Sequence, residues 1–165
     1  MTSPMVDELR AEAATTKRLL DRVPDDKLAW KPHPKSMSLG QLAFHVARLP
    51  GELCQLVQVD EFDASTVNFD PPVPGSKEDI LAAFERSVSG AAEFLSSMSA
   101  ESAGAEWRLT VRGREVFTIP RIGVVRSFLL NHWYHHRGQL SVYLRLLDIP
   151  VPAIYGRSAD ENPLM

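Results

Sequence analysis

One stretch organises this chain, Phe128-Leu-Leu-Asn-His-Trp-Tyr-His-His-Arg-Gly-Gln-Leu140. It lies within a helix that we predict from about Arg121 to Asp148, because side chains recur at alternating steps of three and four, the period of one helix face. The predicted inward face consists of Ile122, Val125, Leu129, His132, His136, Gln139, Tyr143 and Leu146. His132 and His136 lie one turn apart on this face. Polar groups at core-facing positions need a partner, and one metal ion would satisfy both imidazoles.

The bulk composition is that of an ordinary globular chain. The 165 residues predict a single domain over 1–165, and the 44% hydrophobic and 24% charged residues are typical of one. A net charge of -3 without a Lys/Arg cluster argues against a nucleic-acid partner. No apolar run is long enough to span a membrane, the polar start is unlike a signal peptide, and the single cysteine excludes an intrachain disulfide. We therefore expect a cytoplasmic protein with no membrane partner.

Two helices are predicted before residue 60. Ser3 followed by Pro4 indicates the start of the first, which should end near Arg22. Ser38 with Gln41 three residues later forms a capping-box pattern at the start of the second. We expect a kink or a short break in this helix at Pro50-Gly51. Its predicted inward face is Leu42, His45, Leu49, Leu53 and Leu56.

The remaining pattern completes an all-α four-helix bundle with a small β-hairpin before the last helix. The proline-rich segment from Asp60 to Gly75 predicts a crossing connection, and a third helix should run from Ser76 to about Ala100. The period then changes to alternation over 107–119, with Gly113 placed for a hairpin turn. In this arrangement the second and last helices can bring three histidines together inside the bundle.

Three imidazoles, from His45, His132 and His136, make the ligand set of a catalytic metal site, because three protein nitrogens leave a position for water or substrate. Imidazole suits zinc, nickel, copper and iron alike. The alternative interpretation is that these histidines are ordinary hydrogen-bonded core residues. Gln139 and Tyr143 lie on the same predicted face, as candidates to support a ligand or to position a substrate.

The neighbouring polar residues are weaker candidates. His135 points about 100° away from the histidine face, and Cys54 about 180° away from His45 on an ideal helix. Glu52, seven residues after His45, is a candidate for the same cavity, either as a carboxylate that supports the ligands from behind or as a base. Arg137 and Arg145 lie off the predicted face, and we expect both to be solvated or in surface ion pairs.

Two motifs resemble the DinB-like (YfiT-like) superfamily: Gly40-Gln-Leu-Ala-Phe-His45, and His132-Trp-Tyr-His-His136-Arg-Gly-Gln139. The tail Tyr155-Gly-Arg-Ser-Ala-Asp-Glu161 is similar to that of some members. The resemblance covers nearly the whole chain. It implies a four-helix bundle in which His45, His132 and His136 hold a divalent metal, often zinc or nickel, and it implies a homodimer. Characterised relatives include transferases and isomerases that use low-molecular-weight thiols such as mycothiol, bacillithiol or glutathione, while others are similar to metal-dependent hydrolases.

Three functions are therefore open. The favoured one is a metal-dependent transferase that joins a low-molecular-weight thiol to an electrophilic small-molecule substrate, with Gln139 or Tyr143 positioning one partner. The second is a hydrolase that activates water on the metal. The third is a stress-response protein that binds metal or a ligand without turnover, which gains some support because no strong general base stands beside the three histidines in the sequence pattern.

Overall fold

Four long helices form the bundle in the computed structural model, which describes residues 3–68 and 71–163. The first three are α1 (Ser3–Leu20), α2 (Leu39–Val57) and α3 (Lys77–Ser97), followed by a short helix, α4 (Ala100–Gly104). The last long helix has three consecutive segments: α5 (Arg121–Val124), a π-helical segment (Val125–Asn131) and α6 (His132–Leu146). The predicted fold, a four-helix bundle with a small β-hairpin before the last helix, is confirmed.

Helix α2 begins with the predicted capping box. The Ser38 hydroxyl accepts from the Gln41 backbone N–H at 3.1 Å, and the Gln41 side chain accepts from the Ser38 N–H at 3.0 Å. These reciprocal bonds satisfy two donors that an uncapped helix would leave free. Helix α2 therefore starts within two turns of His45, which fixes where that histidine meets the last helix.

Of the kink or short break that we expected at Pro50-Gly51, the break is absent, because α2 continues through Pro50 to Val57. Proline lacks an N–H, so the carbonyl of Val46, four residues earlier, loses its usual partner within the helix. The indole N–H of Trp133 donates to that carbonyl at 2.8 Å. The Gly51 N–H donates to the Ser87 hydroxyl of α3 at 2.8 Å. Neighbouring helices thus compensate for the proline, and α2 does not need to break.

The hairpin consists of β2 (Glu106–Val111) and β3 (Arg114–Pro120), joined by the two residues Arg112 and Gly113. Both turn residues have positive φ, 52° and 71°, as in the type I′ turns that match strand twist. The turn prediction is confirmed.

A third strand, β1 (Glu61–Asp63), pairs in parallel with β2 and was not predicted. The Asp63 carboxylate accepts from the N–H groups of Arg112 and Gly113 at 3.1 and 2.9 Å, which attaches the crossing connection to the hairpin turn.

The last helix differs from the prediction in phase. Its buried side chains within and after the π-helical segment are Val125, Leu129, Leu130, Trp133, Arg137, Leu140 and Leu144. A π-helix has a wider turn than an α-helix, so the face counted along an ideal α-helix does not hold across this segment. In consequence Gln139 and Leu146, predicted to face inward, are exposed, and His132, His136 and Tyr143 are half-buried.

The third helix ends before Ala100, as predicted. It stops at Ser97, where Met98 is extended, and Ser99 caps the separate helix α4 by accepting from the Ser102 N–H.

Within the described ranges, no helix combines the length and the apolar character that crossing a bilayer requires.

Candidate metal centre

Three imidazoles meet where α2 packs against α6. His45 comes from α2, His132 and His136 come from α6, and all three are half-buried. One nitrogen from each lies within 4.8 Å of those of the other two. The ring centroid of His45 is 5.5 Å from that of His132 and 4.5 Å from that of His136. We call these three residues the histidine cluster. It is the only group of three or more His, Cys, Asp or Glu side chains with this geometry in residues 3–68 and 71–163.

Gln139 determines which nitrogen of His136 is free. Its side-chain oxygen lies 2.8 Å from His136 Nδ1, and its side-chain nitrogen lies 3.0 Å from Nε2 of His135. A carbonyl oxygen only accepts, so His136 must carry its proton on Nδ1. This arrangement leaves the lone pair of His136 on Nε2, the atom that faces His132.

The Nε2 atoms of His132 and His136 lie 2.7 Å apart. With Nδ1 of His136 donating to Gln139, Nε2 of His136 is an acceptor, and an Nε2–H of His132 can donate to it. A metal ion bound by both nitrogens would take the place of this proton.

The imidazoles resist protonation. Burial lowers the pKa of His45 to about 4, reinforced by repulsion from His136, His132 and Arg48. Burial likewise lowers the pKa of His136 to about 4, against the opposing hydrogen bond to Gln139. Burial also lowers the pKa of His132. Neutral imidazole is the form that binds metals, so the cluster is in its ligating form at neutral pH without losing protons first.

These residues fit a divalent cation. The donor set is three neutral imidazole nitrogens, which suits zinc, nickel, copper or iron. A cation would displace the proton between His132 and His136, and Gln139 orients His136 through Nδ1 as outer ligands do in protein metal sites. The three-histidine cluster is therefore compatible with metal binding.

The other candidate residues are not part of the histidine cluster. The Tyr143 hydroxyl donates to the carbonyl of Met37 at 3.4 Å, and its ring meets Trp30 edge-on with centroids 5.8 Å apart. Glu52 forms an ion pair with Arg48 and is not among the clustered ligands. Cys54 is buried, and burial raises the pKa of its thiol to about 12. Neither Glu52 nor Cys54 joins the histidine cluster.

Arg137 was predicted wrongly as a solvated side chain. It is 1% exposed and forms an ion pair with Glu12 of α1. It also donates to the Thr16 hydroxyl at 3.2 Å and to the Tyr155 hydroxyl of the tail. The guanidinium lies 5.1 Å from the ring centroids of Tyr134 and Tyr155. We call Arg137, Glu12, Thr16 and Tyr155 the arginine cluster. Arg145, by contrast, forms the expected surface ion pair, with Asp160.

A signal for Arg137 was present in the sequence. It lies four residues after Trp133 and three before Leu140, which is the spacing of one helix face. The face that contains the histidines is displaced from this face by a single residue, and our prediction took the histidine face as the inward one.

Comparison with known proteins agrees with this fold. The DinB superfamily model matches residues 8–140, so the chain belongs to the DinB superfamily. A relative from Bacillus subtilis strain 168, named as the uncharacterized protein YrdA, is 27% identical over 150 residues, which are 91% of this chain and 85% of the relative.

Two solved structures show the same fold. A DinB-like protein from Bacillus cereus ATCC 10987 has a TM-score of 0.69 at 23% identity, over 90% of this chain and 94% of the other. A DinB-like protein from Bacillus subtilis, YjoA, has a TM-score of 0.71 at 18% identity, over 94% of this chain and 99% of the other. At these identities the likeness establishes the architecture of the bundle.

Proposed function

We propose that this protein is a metal-dependent transferase that joins a low-molecular-weight thiol to an electrophilic small molecule. The observation that carries the proposal is the convergence of His45, His132 and His136, whose ligand nitrogens all lie within 4.8 Å of one another. In this proposal the three histidines hold a divalent cation, zinc or nickel by the resemblance described above. When bound, such an ion lowers the pKa of a thiol or water molecule that it coordinates.

Each side chain has a part in the proposed reaction. Gln139 acts through His136, because both ends of its amide are already used by His136 and His135. Tyr143 is the better candidate to contact substrate, since its 3.4 Å hydrogen bond to Met37 is long and readily exchanged. The thiol loses its proton to solvent, its sulfur forms a bond to the electrophilic carbon, and that carbon expels a leaving group.

The ligand set favours a thiol over water as the nucleophile. The histidine cluster contains no carboxylate, and Glu52 is neutralised by Arg48. A hydrolase usually needs a base to remove the proton of the attacking water, whereas a thiol is acidic enough to lose its proton without one. Hydrolysis remains the second enzymatic hypothesis. A third is metal or ligand binding without turnover.

A mass-spectrometric screen tests the proposal. Protein loaded with zinc or with nickel is incubated with several low-molecular-weight thiols, including glutathione, and a panel of electrophiles. We expect a thiol adduct that forms with wild type and with His33→Ala, because His33 is exposed and distant from the cluster in sequence, but not with His136→Ala.

The alternatives give different results in the same screen. Turnover of an electrophile without any thiol would favour the hydrolase. Stoichiometric metal with no product from any pair, beside a working control transferase, would favour a binding protein. Wild-type protein that retains no metal after loading would overturn the metal site itself.

A further inference from the structure

A second polar site lies between α2 and α3. Here the two helices enclose a cleft of about 370 Å³. The close contact of the helices forms its floor, because a Cβ at Gly51 would lie 3.1 Å from Ser87. A Cβ at Gly90, on the rim, would meet nothing within 4 Å, so no side chain fills the space there. A volume of a few hundred Å³ is that of a pocket for a small molecule.

Most polar groups on the floor of the cleft are already satisfied. The Ser87 hydroxyl accepts from the Gly51 N–H and donates to the Arg48 carbonyl at 2.9 Å. The Cys54 thiol is buried, and since its pKa is raised to about 12 it stays protonated and unreactive at neutral pH. Selectivity in the cleft must therefore come from the side chains of its walls.

The walls carry one unbalanced positive charge. Arg48 is paired with Glu52 and lies over the Phe44 ring, 5.2 Å from its centroid. Arg86, from α3 on the opposite wall, has no ion pair or hydrogen bond to any residue in the described part of the chain. The side-chain amide of Gln55, beside them, is also without a protein partner among the described residues. The cleft thus offers a free guanidinium and a free amide facing a paired guanidinium.

We propose that this cleft binds a small molecule through an oxyanion, a carboxylate or a phosphate, held between Arg86 and Arg48. A guanidinium presents two parallel N–H donors that match the two oxygens of such a group. Glu52 competes for Arg48, so the bound anion shares Arg48 with it or displaces it. The Gln55 amide is placed to hydrogen-bond the rest of the molecule. No histidine of the cluster lines the cleft, so we expect binding there not to need a metal.

The test is a titration of the full chain with sodium phosphate and, separately, sodium acetate at constant ionic strength, followed by amide chemical shifts. We expect saturable shifts on α2 and α3 beside the cleft. Arg86→Gln should weaken binding about tenfold or more, because it removes a charge-assisted hydrogen bond. Glu52→Gln should tighten binding, because it releases Arg48. Saturation by phosphate alone or by acetate alone identifies which oxyanion the cleft takes.

Matched variants separate a site from a general charge effect. Arg114→Gln removes an exposed charge in the hairpin, and Glu101→Gln removes one on α4, so neither should change the affinity. The titration is repeated after chelation, where we expect the same affinity. Absent saturation, or equal effects of Arg86→Gln and Arg114→Gln, would overturn the proposal.

Discussion

The histidine cluster and the arginine cluster both place polar groups of the last helix away from water, and they satisfy those groups differently. Arg137 lies almost fully buried, and Glu12, Thr16 and Tyr155 bind its donors from within the chain. His132 and His136 lie one turn apart, and their Nε2 atoms approach each other to 2.7 Å beside His45. The arginine cluster is complete in itself, whereas the histidine cluster is compatible with a bound cation. Whether the chain itself satisfies a polar group is therefore a better sign of a structural role than how deeply the group is buried.

The largest effect should come from breaking the complete cluster. Arg137→Met leaves the Glu12 carboxylate, 15% exposed, without its partner. Removing one member of a buried ion pair destabilises a protein by about 3–5 kcal/mol. We expect a loss of this size in the free energy of unfolding measured by urea titration, with metal stoichiometry unchanged.

Arg145→Met is the control for this variant. It removes an arginine from the exposed pair with Asp160 and should have a much smaller effect. Equal losses from the two variants would show that the arginine cluster adds no particular stability.

Breaking the incomplete cluster should affect binding rather than stability. His136→Ala removes one of three proposed ligands, and we expect metal affinity to fall by more than about 100-fold, beyond the effect of losing an outer partner. The metal-free protein should keep most of its stability, because His136 is half-buried and its side chain hydrogen-bonds, among the described residues, only His132 and Gln139 of its own helix. Elemental analysis and calorimetric titration measure these changes. His33→Ala should retain the metal, and retention by His136→Ala as well would refute this ligand assignment.

A smaller effect is expected at the residue that orients His136. Gln139→Leu removes the acceptor that holds the proton on Nδ1. Loss of such an outer partner lowers metal affinity about 10–100-fold. Gln139→Glu keeps an acceptor and should restore most of the affinity. Gln58→Leu serves as the control, because that amide bonds only the Cys54 carbonyl within its own helix. Unchanged affinity in Gln139→Leu would mean that the tautomer of His136 is fixed by another contact.

The smallest effect concerns pH in the metal-free protein. His45 and His136 have a pKa of about 4 in the folded chain, against the ordinary 6.5 when unfolded. Below about pH 6.5 the unfolded chain takes up protons that the folded chain refuses, so stability is complete above that pH and falls toward about pH 4. We expect His45→Gln to show a shallower fall over this window in denaturant titrations of chelated protein. A slope equal to that of wild type would contradict the assigned shift.

Much of the bundle follows from local patterns. The capping box at Ser38 and the change of period before Gly113 each contain their own signal, because both structures form between residues close in sequence. The pairing of His45 with His132 and His136 was also accessible, since each lies on a strongly periodic helix. What sequence reasoning missed depends on tertiary contact: β1 has three residues and exists only by pairing with β2.

The π-helical segment explains the remaining errors. Counting along an ideal helix from Val125 placed Gln139 on the inward face and Arg137 on the outward face, and the wider turn of residues 125–131 reverses both. Nothing in that segment signals a π-helix by composition. The histidines were still located correctly, because they lie at the edge between the buried and exposed faces.

Pro50 has a consequence that reaches the other end of the chain. By withholding an N–H, it leaves a vacant acceptor on Val46, next to His45, and the donor that occupies it belongs to Trp133, next to His132. One hydrogen bond between residues 87 positions apart therefore sets the alignment of the two segments that supply the imidazoles. Replacing Pro50 by alanine would return a competing donor to Val46, and replacing Trp133 by phenylalanine would leave that carbonyl empty. Redesign of this centre should treat the proline and the tryptophan as a pair.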